Sequence, residues 1–342
     1  MLTGLICGIV MQTSTQWSPD QANAWQAKQP WVVGCNFLPS SAINQLEMWQ
    51  SDTFDPQTID RELGYAESIG MNAVRVYLHD IAYEQDPKGF KDRMSQFLSI
   101  ADKHKFRALF VFFDDCWNPD PKAGKQPEPK PGVHNSGWVR SPGDHQRNWP
   151  GDLNRLEVFV KDILTTFKTD ERIYAWDLYN EPGNSGYNEK SMPLLKKVLE
   201  WGWSIRPSQP MTVGVWYDNK ELNDYQTANS DIVSFHNYND APNLKAEIDG
   251  LRKFGRPIIN TEWMARSNKS LVSTNLPIFH QEKVACINWG LVSGKSNTIF
   301  PWGSKEGSPE PTPWFHDLFR KDGSPYDPAE TELFKKLTGR GD

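Results

Sequence analysis

The sequence predicts an α/β fold in which eight parallel strands close into one barrel surrounded by helices, a single (β/α)8 barrel. Strand-length apolar runs alternate with helix-length segments along the 342 residues. Most of these runs are apolar throughout, as in parallel strands that are covered on both faces. No internal repeat or interdomain linker interrupts the series. Strict alternation of this kind favours a closed barrel over an open doubly wound sheet.

The eight predicted strands are spaced so that a helix fits between most neighbours. They are WVVGCNF (31–37), NAVRVYL (72–78), RALFVFF (107–113), IYAWDLY (173–179), MTVGV (211–215), DIVSFH (231–236), PIINTEW (257–263) and VACINWGLV (284–292). Their Val, Ile, Phe, Tyr and Trp content is typical of buried strands.

Helices are predicted between the strands. The clearest begins at Asp55-Pro56, where an N-cap residue precedes a proline in the first turn. The predicted helices cover 56–69, 90–104, 152–168, 189–206, 240–254 and 273–281, and a weaker pattern covers 218–229.

One long segment after the third strand, 117–150, has neither a helix nor a strand pattern and is rich in Pro and Gly. A loop of that length in a compact domain is usually functional or disordered. Its tryptophans Trp117, Trp138 and Trp149 argue against disorder. Loops that follow barrel strands lie on the face that carries active sites. The segment is therefore predicted to form a wall of a substrate cleft.

Composition narrows the classes of function. The net charge of −6 gives no electrostatic basis for binding nucleic acid. The mean hydropathy of −0.64 argues against a membrane span. Fifteen Trp, 10 Tyr and 17 Phe are many, and Trp faces stack on sugar rings as well as filling cores. The composition carries no signal for oligomeric state.

The four cysteines are too few for a disulfide scaffold and form no C-x-x-C pair. Cys35 and Cys286 lie in predicted strands and are expected to be buried free thiols, with a bridge involving Cys35, Cys116 or Cys286 as the alternative.

The N-terminus, MLTGLICGIVMQTSTQ, is too short to span a bilayer and is similar to the apolar region of a signal peptide. It predicts a leader over 1–24, a catalytic domain over 25–342 and a secreted or periplasmic protein. It has no positive n-region and no A-x-A cleavage site, so a cytoplasmic protein is the alternative.

Polar or ionisable residues end several predicted strands, and in a closed barrel these ends meet on one rim. They are Arg75, His79 and Asp80 for strand two, Asp114 and Asp115 for strand three, Asn180 and Glu181 for strand four, His236 and Tyr238 for strand six, and Glu262 for strand seven. Pro182 cannot donate to a sheet, which places Glu181 at the rim.

Two carboxylates that face each other across a cleft are what glycosidic bond cleavage requires. One donates a proton to the leaving oxygen, and the other attacks the anomeric carbon or activates water. Arg75 is expected to keep one carboxylate ionised, while burial and the like charge are expected to raise the pKa of the other.

Each rim residue also has a structural explanation when taken alone. Asn-Glu-Pro-Gly at 180–183 fits a turn, His236 fits a core histidine and Arg75 fits a structural ion pair. Asp114-Asp115 fits a helix N-cap. The joint occurrence of these residues at successive strand ends favours a functional site. The chain has no H-E-x-x-H, G-x-S-x-G or G-x-G-x-x-G motif, so metalloprotease, serine hydrolase and dinucleotide-binding functions lose their main signals.

The motifs WDLYNEP, SFHNY and RPIINTEW, in that order, resemble the glycoside hydrolases of clan A, and most closely the cellulase-like members of family 5. The likeness covers residues from about 31 to 303. It implies a TIM barrel that cleaves a β-linked glycan or oligosaccharide with retention of anomeric configuration, through a covalent glycosyl-enzyme and without a metal or organic cofactor. A carbohydrate-binding barrel without catalysis and a transglycosylase with the same glutamates are the alternatives.

The resemblance also implies roles for single residues. Glu181 would be the acid/base, Asn180 would contact the sugar 2-hydroxyl and Glu262 would be the nucleophile. The residues that would support Glu262 are Arg75, His236 and Tyr238. Mannan, xylan, glucan and galactoside chemistry all fit this set, and neither the sugar nor endo or exo action follows from it.

Aromatic residues are expected to bind the sugar. Trp289 would be the platform that the resemblance implies, with Trp302 as the alternative. Trp138 in the long loop and Trp216 after the fifth strand are further candidates for substrate binding.

The chain departs from the family near the end of strand three. Family 5 members commonly carry a histidine there, where this chain has FFDDCW. Either His79 or Asp114 takes over that task, or the subsite next to the cleaved bond differs. Glu47 and Trp49 after strand one are predicted to contact a subsite, with a helix-start acid as the alternative for Glu47.

Overall fold

The fold is a closed barrel of parallel strands, given by a computed structural model that describes residues 16–144 and 150–340, except for the side chains of 150–152. The strands are β1 (Val33–Asn36), β2 (Ala73–Tyr77), β3 (Arg107–Asp114), β4 (Ile173–Asn180), β5 (Met211–Thr212), β6 (Val233–His236), β7 (Ile258–Glu262) and β8 (Ala285–Trp289). They lie in the order β5-β4-β3-β2-β1-β8-β7-β6. Each strand lies within its predicted run or extends one residue beyond it.

The barrel closes between β5 and β6. Val215, just beyond β5, forms a parallel bridge with Phe235. The Val215 N–H donates to the Ser234 carbonyl at 3.0 Å, and the His236 N–H donates to the Val215 carbonyl at 2.9 Å. The prediction of a (β/α)8 barrel is therefore confirmed.

All the predicted helices are present. They are α3 (Pro56–Ser68), α5 (Pro87–Lys103), α6 (Pro150–Phe167), α7 (Met192–Ile205), α8 (Lys220–Asn229), α9 (Ala241–Leu251) and α10 (Val272–Glu282). The described chain also contains four helices that were not predicted: α1 (Pro19–Gln26), α2 (Gln45–Trp49), α4 (Asp80–Gln85) and α11 (Pro328–Thr338). Two of these, α2 and α4, are too short to show a helical period. None of the helices in the described ranges is long and apolar enough to cross a bilayer.

The N-terminal helix α1 packs on the barrel. A capping box at Ser18 starts the helix. The Trp17 N–H donates to Asp231 Oδ1 at 2.7 Å, and Trp25 packs on Tyr174 with ring centroids 5.0 Å apart. The predicted boundary at residue 25 falls inside this helix, and the division into a leader over 1–24 and a catalytic domain over 25–342 stays a prediction. Residues 1–15 of the predicted leader lie outside the described part of the chain.

The strands carry two separate cores, which explains their continuous apolar character. In β2, Val74 and Val76 pack in the large cluster between the sheet and the helices. Ala73 and Tyr77 belong to the smaller cluster inside the barrel. Arg75 lies between them on the same inward face and is fully buried. The barrel interior is thus apolar at the bottom and polar towards the carboxyl ends of the strands.

The loop after β3 contains no helix or named strand between 117 and 143. It folds back on itself through an antiparallel bridge between Asp114 and Ser141 and a parallel bridge between Asn118 and Val139. The last part of the predicted segment, 145–149 with Trp149, lies outside the described residues.

Candidate active site

The carboxyl ends of the strands surround a cavity of about 720 Å³. Most of the predicted site residues line it: Asp114, Trp138, Asn180, Glu181, Trp216, His236, Tyr238, Glu262 and Trp289. The barrel therefore brings together side chains that are far apart in the sequence.

Glu262, the last residue of β7, is held by three donors. Arg75 Nη1 donates to Glu262 Oε1 at 2.9 Å, and the Tyr77 hydroxyl donates to the same oxygen at 2.8 Å. The Tyr238 hydroxyl donates to Oε2 at 2.8 Å. A cationic donor and two hydroxyl donors suit an ionised carboxylate. The Glu262 side chain is fixed at both oxygens.

Arg75 is the centre of a buried polar network. Its Nη2 donates to Asp177 Oδ2 at 2.7 Å and to Asn180 Oδ1 at 2.6 Å, and its Nη1 donates to Asn36 Oδ1 at 2.9 Å. Burial alone would lower the pKa of Arg75, but the charges around it, including those of Asp177 and Glu262, raise that pKa above its ordinary value. Arg75 does not line the cavity; it orients Asn180 and Glu262 from below.

Glu181 follows the last residue of β4 and lies outside the strand. Its φ of 44° is left-handed, which is uncommon for a residue with a side chain. Pro182 ends the sheet pairing there, and Gly183 has a φ of 91°. The Gly183 N–H donates to Asp115 Oδ2 at 2.9 Å, which fixes the turn. The turn and the functional residue that sequence reasoning treated as alternatives are therefore the same feature.

The Glu181 carboxylate contacts three side chains. His236 Nδ1 lies 2.8 Å from its Oε1. The Cys116 thiol donates to its Oε2 at 3.1 Å, and Asn184 Nδ2 donates to the same oxygen at 2.5 Å. Burial acts to raise the pKa of Glu181, but the hydrogen bond and charge of His236 outweigh it, so that pKa lies below its ordinary value.

The expectation of a raised pKa for the second carboxylate is thus wrong for Glu181. The imidazole of His236, which the sequence argument counted only as an orienting group, supplies the positive partner that lowers the pKa of this carboxylate. Burial lowers the pKa of His236, but the charges of Glu262 and Glu181 raise it above its ordinary value. The two opposite pKa shifts favour a carboxylate next to an imidazolium, with His236 Nδ1 2.8 Å from Glu181 Oε1.

The two glutamates are close neighbours. One oxygen of Glu181, one oxygen of Glu262 and a ring nitrogen of His236 all lie within 4.8 Å of one another. Three such ligand atoms could hold a metal ion. The Arg75 guanidinium, already bonded to Glu262, places a positive charge beside that position and opposes a cation there.

Asp114 and Trp138 form a pair on the β3 side of the cavity. Trp138 Nε1 donates to Asp114 Oδ2 at 2.7 Å, and Asn180 Nδ2 donates to Asp114 Oδ1 at 2.9 Å. Burial raises the pKa of Asp114 to about 6, although the hydrogen bonds from Asn180 and Trp138 act in the opposite direction. Asp114 ends β3 and lines the cavity, whereas His79 does not line it.

Three predicted contacts do not reach the cavity. His79 is buried, caps α4 and lies 3.0 Å from the Arg140 carbonyl through Nε2. Trp49 is fully buried in the core and donates to the Tyr77 carbonyl at 2.7 Å. Glu47 lies in the first turn of α2 and bonds Lys295, so the helix-start alternative is the one observed.

Tryptophans surround the mouth of the cavity. Trp289 packs edge-on against Trp138, with ring centroids 5.5 Å apart. Trp216 is fixed by a 3.1 Å hydrogen bond from its Nε1 to the Pro182 carbonyl. Trp302 and Trp117 are 43% and 39% exposed. Trp302 packs edge-on against Tyr238. Trp289 and Trp302 thus occupy different positions, one deep in the cavity and one at its opening.

Sequence reasoning missed several residues of the site. Tyr77 lies two positions after Arg75, and strand alternation alone would have placed it on the same inward face. Cys116 lies in a loop and Asn184 in a three-residue 3-10 helix, Asn184–Gly186, where no period reveals the direction of a side chain. The cysteines in the described part of the chain are free thiols, as expected, since Cys35, Cys116 and Cys286 are free and buried.

Comparisons with known proteins give a match of fold. No protein-family model matches the sequence, and no curated protein matches it. The structure matches GH5_18 from Streptomyces cattleya in complex with GlcNAc, at 10% identity and a TM-score of 0.61, over 91% of this chain and 80% of that one. The fold is that of family 5 glycoside hydrolases.

Two further structures agree. The exo-β-1,4-mannosidase Op5Man5 from Opitutaceae bacterium strain TAV5 is 18% identical with a TM-score of 0.62, over 90% of this chain and 59% of that one. The endo-1,4-β-mannanase from Rhizomucor miehei is 13% identical with a TM-score of 0.58, over 92% and 96%. At such low identities these structures establish the fold alone.

Proposed function

We propose that the protein is a retaining glycoside hydrolase that cleaves a β-linked glycan or oligosaccharide. The observation that carries the proposal is the facing pair of glutamates, with one oxygen of each within 4.8 Å of the other. Retaining enzymes have carboxyl groups about 5–5.5 Å apart, and inverting enzymes, which hold a water molecule between them, about 6.5–9.5 Å. The short separation supports direct attack by a carboxylate.

In the first step, the Glu262 carboxylate attacks the anomeric carbon while Glu181 gives its proton to the glycosidic oxygen. The bond from the anomeric carbon to the leaving group breaks, and a bond to a Glu262 oxygen forms. Arg75, Tyr77 and Tyr238 hold the nucleophile in place. His236 is the group from which Glu181 can take the proton that it donates.

In the second step, Glu181 acts as a base. It takes a proton from a water molecule, whose oxygen attacks the anomeric carbon and releases the Glu262 carboxylate. Each displacement inverts the anomeric carbon, so the product keeps the β configuration. The left-handed backbone at Glu181 directs its side chain into the cavity for both steps.

A carbohydrate substrate is supported by the lining of the cavity. Trp138, Trp216, Trp289 and Trp302 present aromatic surface around the two glutamates. Aromatic faces bury apolar sugar surface while polar neighbours bond the hydroxyl groups. Two structures with this fold are complexes with GlcNAc and with Manβ1-4GlcNAc. Sugars with this β-1,4 linkage are the first substrates to try.

Azide rescue tests both roles. Glu262→Ala with azide and an activated aryl β-glycoside should yield the α-glycosyl azide, because azide replaces the nucleophile in a single inversion. Glu181→Ala with azide should yield the β-glycosyl azide, because azide replaces the water in the second step. Product anomers are read by NMR. The exposed Glu189 provides a matched control, since Glu189→Ala should be active without azide.

The same assay separates the alternatives. Wild-type protein that binds but never hydrolyses the glycosides would be a carbohydrate-binding barrel. Transfer of the sugar to an added acceptor in place of water would make it a transglycosylase. Loss of wild-type activity with a chelator would contradict the carboxylate mechanism and favour a metal at Glu181, His236 and Glu262.

A further inference from the structure

One end of the active-site cavity is closed by three loops. They are residues 37–50 after β1, 117–144 after β3 and 290–308 after β8, and we call them together the rim wall. In the barrel β1 and β2 lie between β8 and β3. The rim wall therefore stands over β1 and β2, opposite the loops that follow β5 and β6.

The first two loops of the rim wall are joined by buried amide side chains. Asn44 Nδ2 donates to the Gly137 carbonyl at 2.8 Å. Gln45 Nε2 donates to the Val139 carbonyl at 3.0 Å. Both side chains are fully buried. Because a buried amide that loses its partner is costly, these contacts keep the two loops together.

The β3 and β8 loops meet above the strands between them. The Asn135 N–H donates to the Ser296 carbonyl at 2.8 Å. His134 Nδ1 lies 2.7 Å from the Phe300 carbonyl. A Cβ on Gly132 would lie 2.7 Å from the backbone of Ser308, so the two chains are in direct contact there. The rim wall is a continuous, hydrogen-bonded barrier.

Three packed aromatic rings face the cavity from the rim wall side. Tyr77 and Trp138 have ring centroids 5.0 Å apart, Trp138 and Trp289 5.5 Å, and Tyr77 and Trp289 5.9 Å. Behind them is a space of only about 20 Å³, lined by Asn36, Tyr77, Trp138 and Trp289 among others. That space holds about one water molecule. A sugar ring does not fit behind the aromatic rings.

The two glutamates lie on opposite sides of the axis that runs from the rim wall to the open end of the cavity, because Glu181 follows β4 and Glu262 ends β7. Asn180 bonds Arg75 on β2 and Asp114 on β3, so the group that is expected to contact the 2-hydroxyl lies on the rim wall side. Tyr77 joins the aromatic rings to Glu262 directly. The sugar that becomes attached to Glu262 therefore lies against the rim wall, and the leaving group extends towards Asn184, Ser185 and Trp216.

We propose that the enzyme is exo-acting and removes one β-linked sugar at a time from the non-reducing end of its substrate. This inference rests on the proposed hydrolase function. The rim wall leaves room for a single sugar on the non-reducing side of the cleaved bond, so only a terminal residue fits. The open end accepts a sugar chain or an aryl group as the leaving group.

The test compares two substrates that differ in one methyl group. A panel of aryl β-mannoside, β-glucoside, β-xyloside and β-galactoside first identifies the sugar. A β-1,4-linked tetrasaccharide of that sugar, labelled at its reducing end, is the first compound. The second is the same tetrasaccharide methylated at O4 of the sugar at its non-reducing end. We expect stepwise release of monosaccharide from the first compound and no detectable cleavage of the second.

The outcomes separate the two proposals. Release of a disaccharide or trisaccharide at early times, or cleavage of the methylated compound at the same rate, would overturn exo action and leave hydrolysis in place. Failure to cleave any glycoside would overturn the proposed function together with the exo inference.

A variant tests the rim wall itself. Trp138→Ala removes the ring that separates the cavity from the space behind it, and should allow cleavage of the methylated tetrasaccharide. Lys130 is a control on the same loop, because its side chain is exposed and does not line the cavity. Lys130→Ala should still reject the methylated compound. The comparison of substrates on wild-type protein decides the question if Trp138→Ala fails to fold.

Discussion

The two glutamates that face each other in the cavity are held in different ways. Glu262 is the last residue of a strand, and both its oxygens accept hydrogen bonds from Arg75, Tyr77 and Tyr238. Glu181 lies outside its strand on a left-handed backbone, and its partners include the titratable His236. The proposed nucleophile belongs to the rigid polar interior of the barrel, and the proposed proton donor lies on a turn beside a group that can exchange a proton with it.

This difference matches the demands of the two proposed roles. A nucleophile needs one ionisation state and one orientation, which several fixed donors provide. An acid/base must gain and lose a proton in each cycle, which requires a partner that titrates. The contrast can be tested by removing one supporting group at a time.

The largest expected effect is a loss of stability when Arg75 is replaced. Arg75→Met leaves the buried carboxylates of Asp177 and Glu262 without their cation. Breaking a buried ion pair on one side costs about 3–5 kcal/mol. Urea unfolding should show a loss of this size. Lys88→Met, which breaks an exposed pair with Asp92, should cause no measurable loss. Equal unfolding curves for wild type and Arg75→Met would refute the network as a stabilising element.

The tyrosine hydroxyls are expected to affect catalysis more than stability. Tyr77→Phe and Tyr238→Phe each remove one donor to Glu262. A hydrogen bond to a charged group contributes about 1.5–3 kcal/mol, so kcat should fall roughly 10- to 100-fold in each variant. Tyr83→Phe is the control, because that hydroxyl donates to Asp162 away from the cavity. A kcat unchanged by both active-site variants would mean that Arg75 alone holds the nucleophile.

His236→Asn should change the pKa of Glu181. Without the imidazole, burial is no longer outweighed, and the pKa of Glu181 should rise. The δ-carboxyl carbon of Glu181, labelled with ¹³C and assigned with Glu181→Gln, reports that pKa by NMR titration. A pKa of Glu181 that stays below its ordinary value in His236→Asn would show that Cys116 and Asn184 are the dominant partners.

The same pair sets a pH window for stability. Because the pKa of Glu181 is lowered in the folded protein, the Glu181 carboxylate stabilises the fold above pH 4.5. This stabilisation is lost as the pH falls through the pKa that Glu181 has in the folded protein. Because the pKa of His236 is raised in the folded protein, the protonated imidazole stabilises the fold below pH 6.5. This stabilisation is lost as the pH rises through the pKa that His236 has in the folded protein. The difference in unfolding free energy between wild type and His236→Asn should therefore be largest between about pH 4.5 and 6.5.

The sequence was sufficient for the barrel and for the pair of glutamates. Buried parallel strands have a strong apolar signature, and Glu181 follows one such strand while Glu262 ends another. The rim wall could not be predicted, because its contacts join loops far apart in the chain, such as Asn135 with Ser296. Trp49 shows the same limit of sequence reasoning. It follows strand one in the sequence, where a position at the rim was predicted, but in the structure it lies in the core.

Local backbone direction accounts for the remaining gaps. The sequence placed Glu181 at the rim but could not give its left-handed φ, on which the direction of the carboxylate depends. The pairing of Glu181 with His236 and Cys116 follows from that direction. The pKa expectation was wrong for the same reason, since burial was predicted and the compensating partner was not.

Cys116 should show the smallest effect. Burial raises the pKa of its thiol well above the ordinary value, so the group stays protonated and acts as a donor to Glu181. Cys116→Ala removes that donor, and kcat should change by roughly two- to tenfold, since one such bond contributes about 0.5–1.5 kcal/mol. Cys116→Ser keeps a donor and should restore most of the lost activity. Cys286→Ser, in the core of β8, should affect stability but leave the pKa of Glu181 unchanged. An alanine variant with a wild-type pH profile would limit the partners of Glu181 to His236 and Asn184.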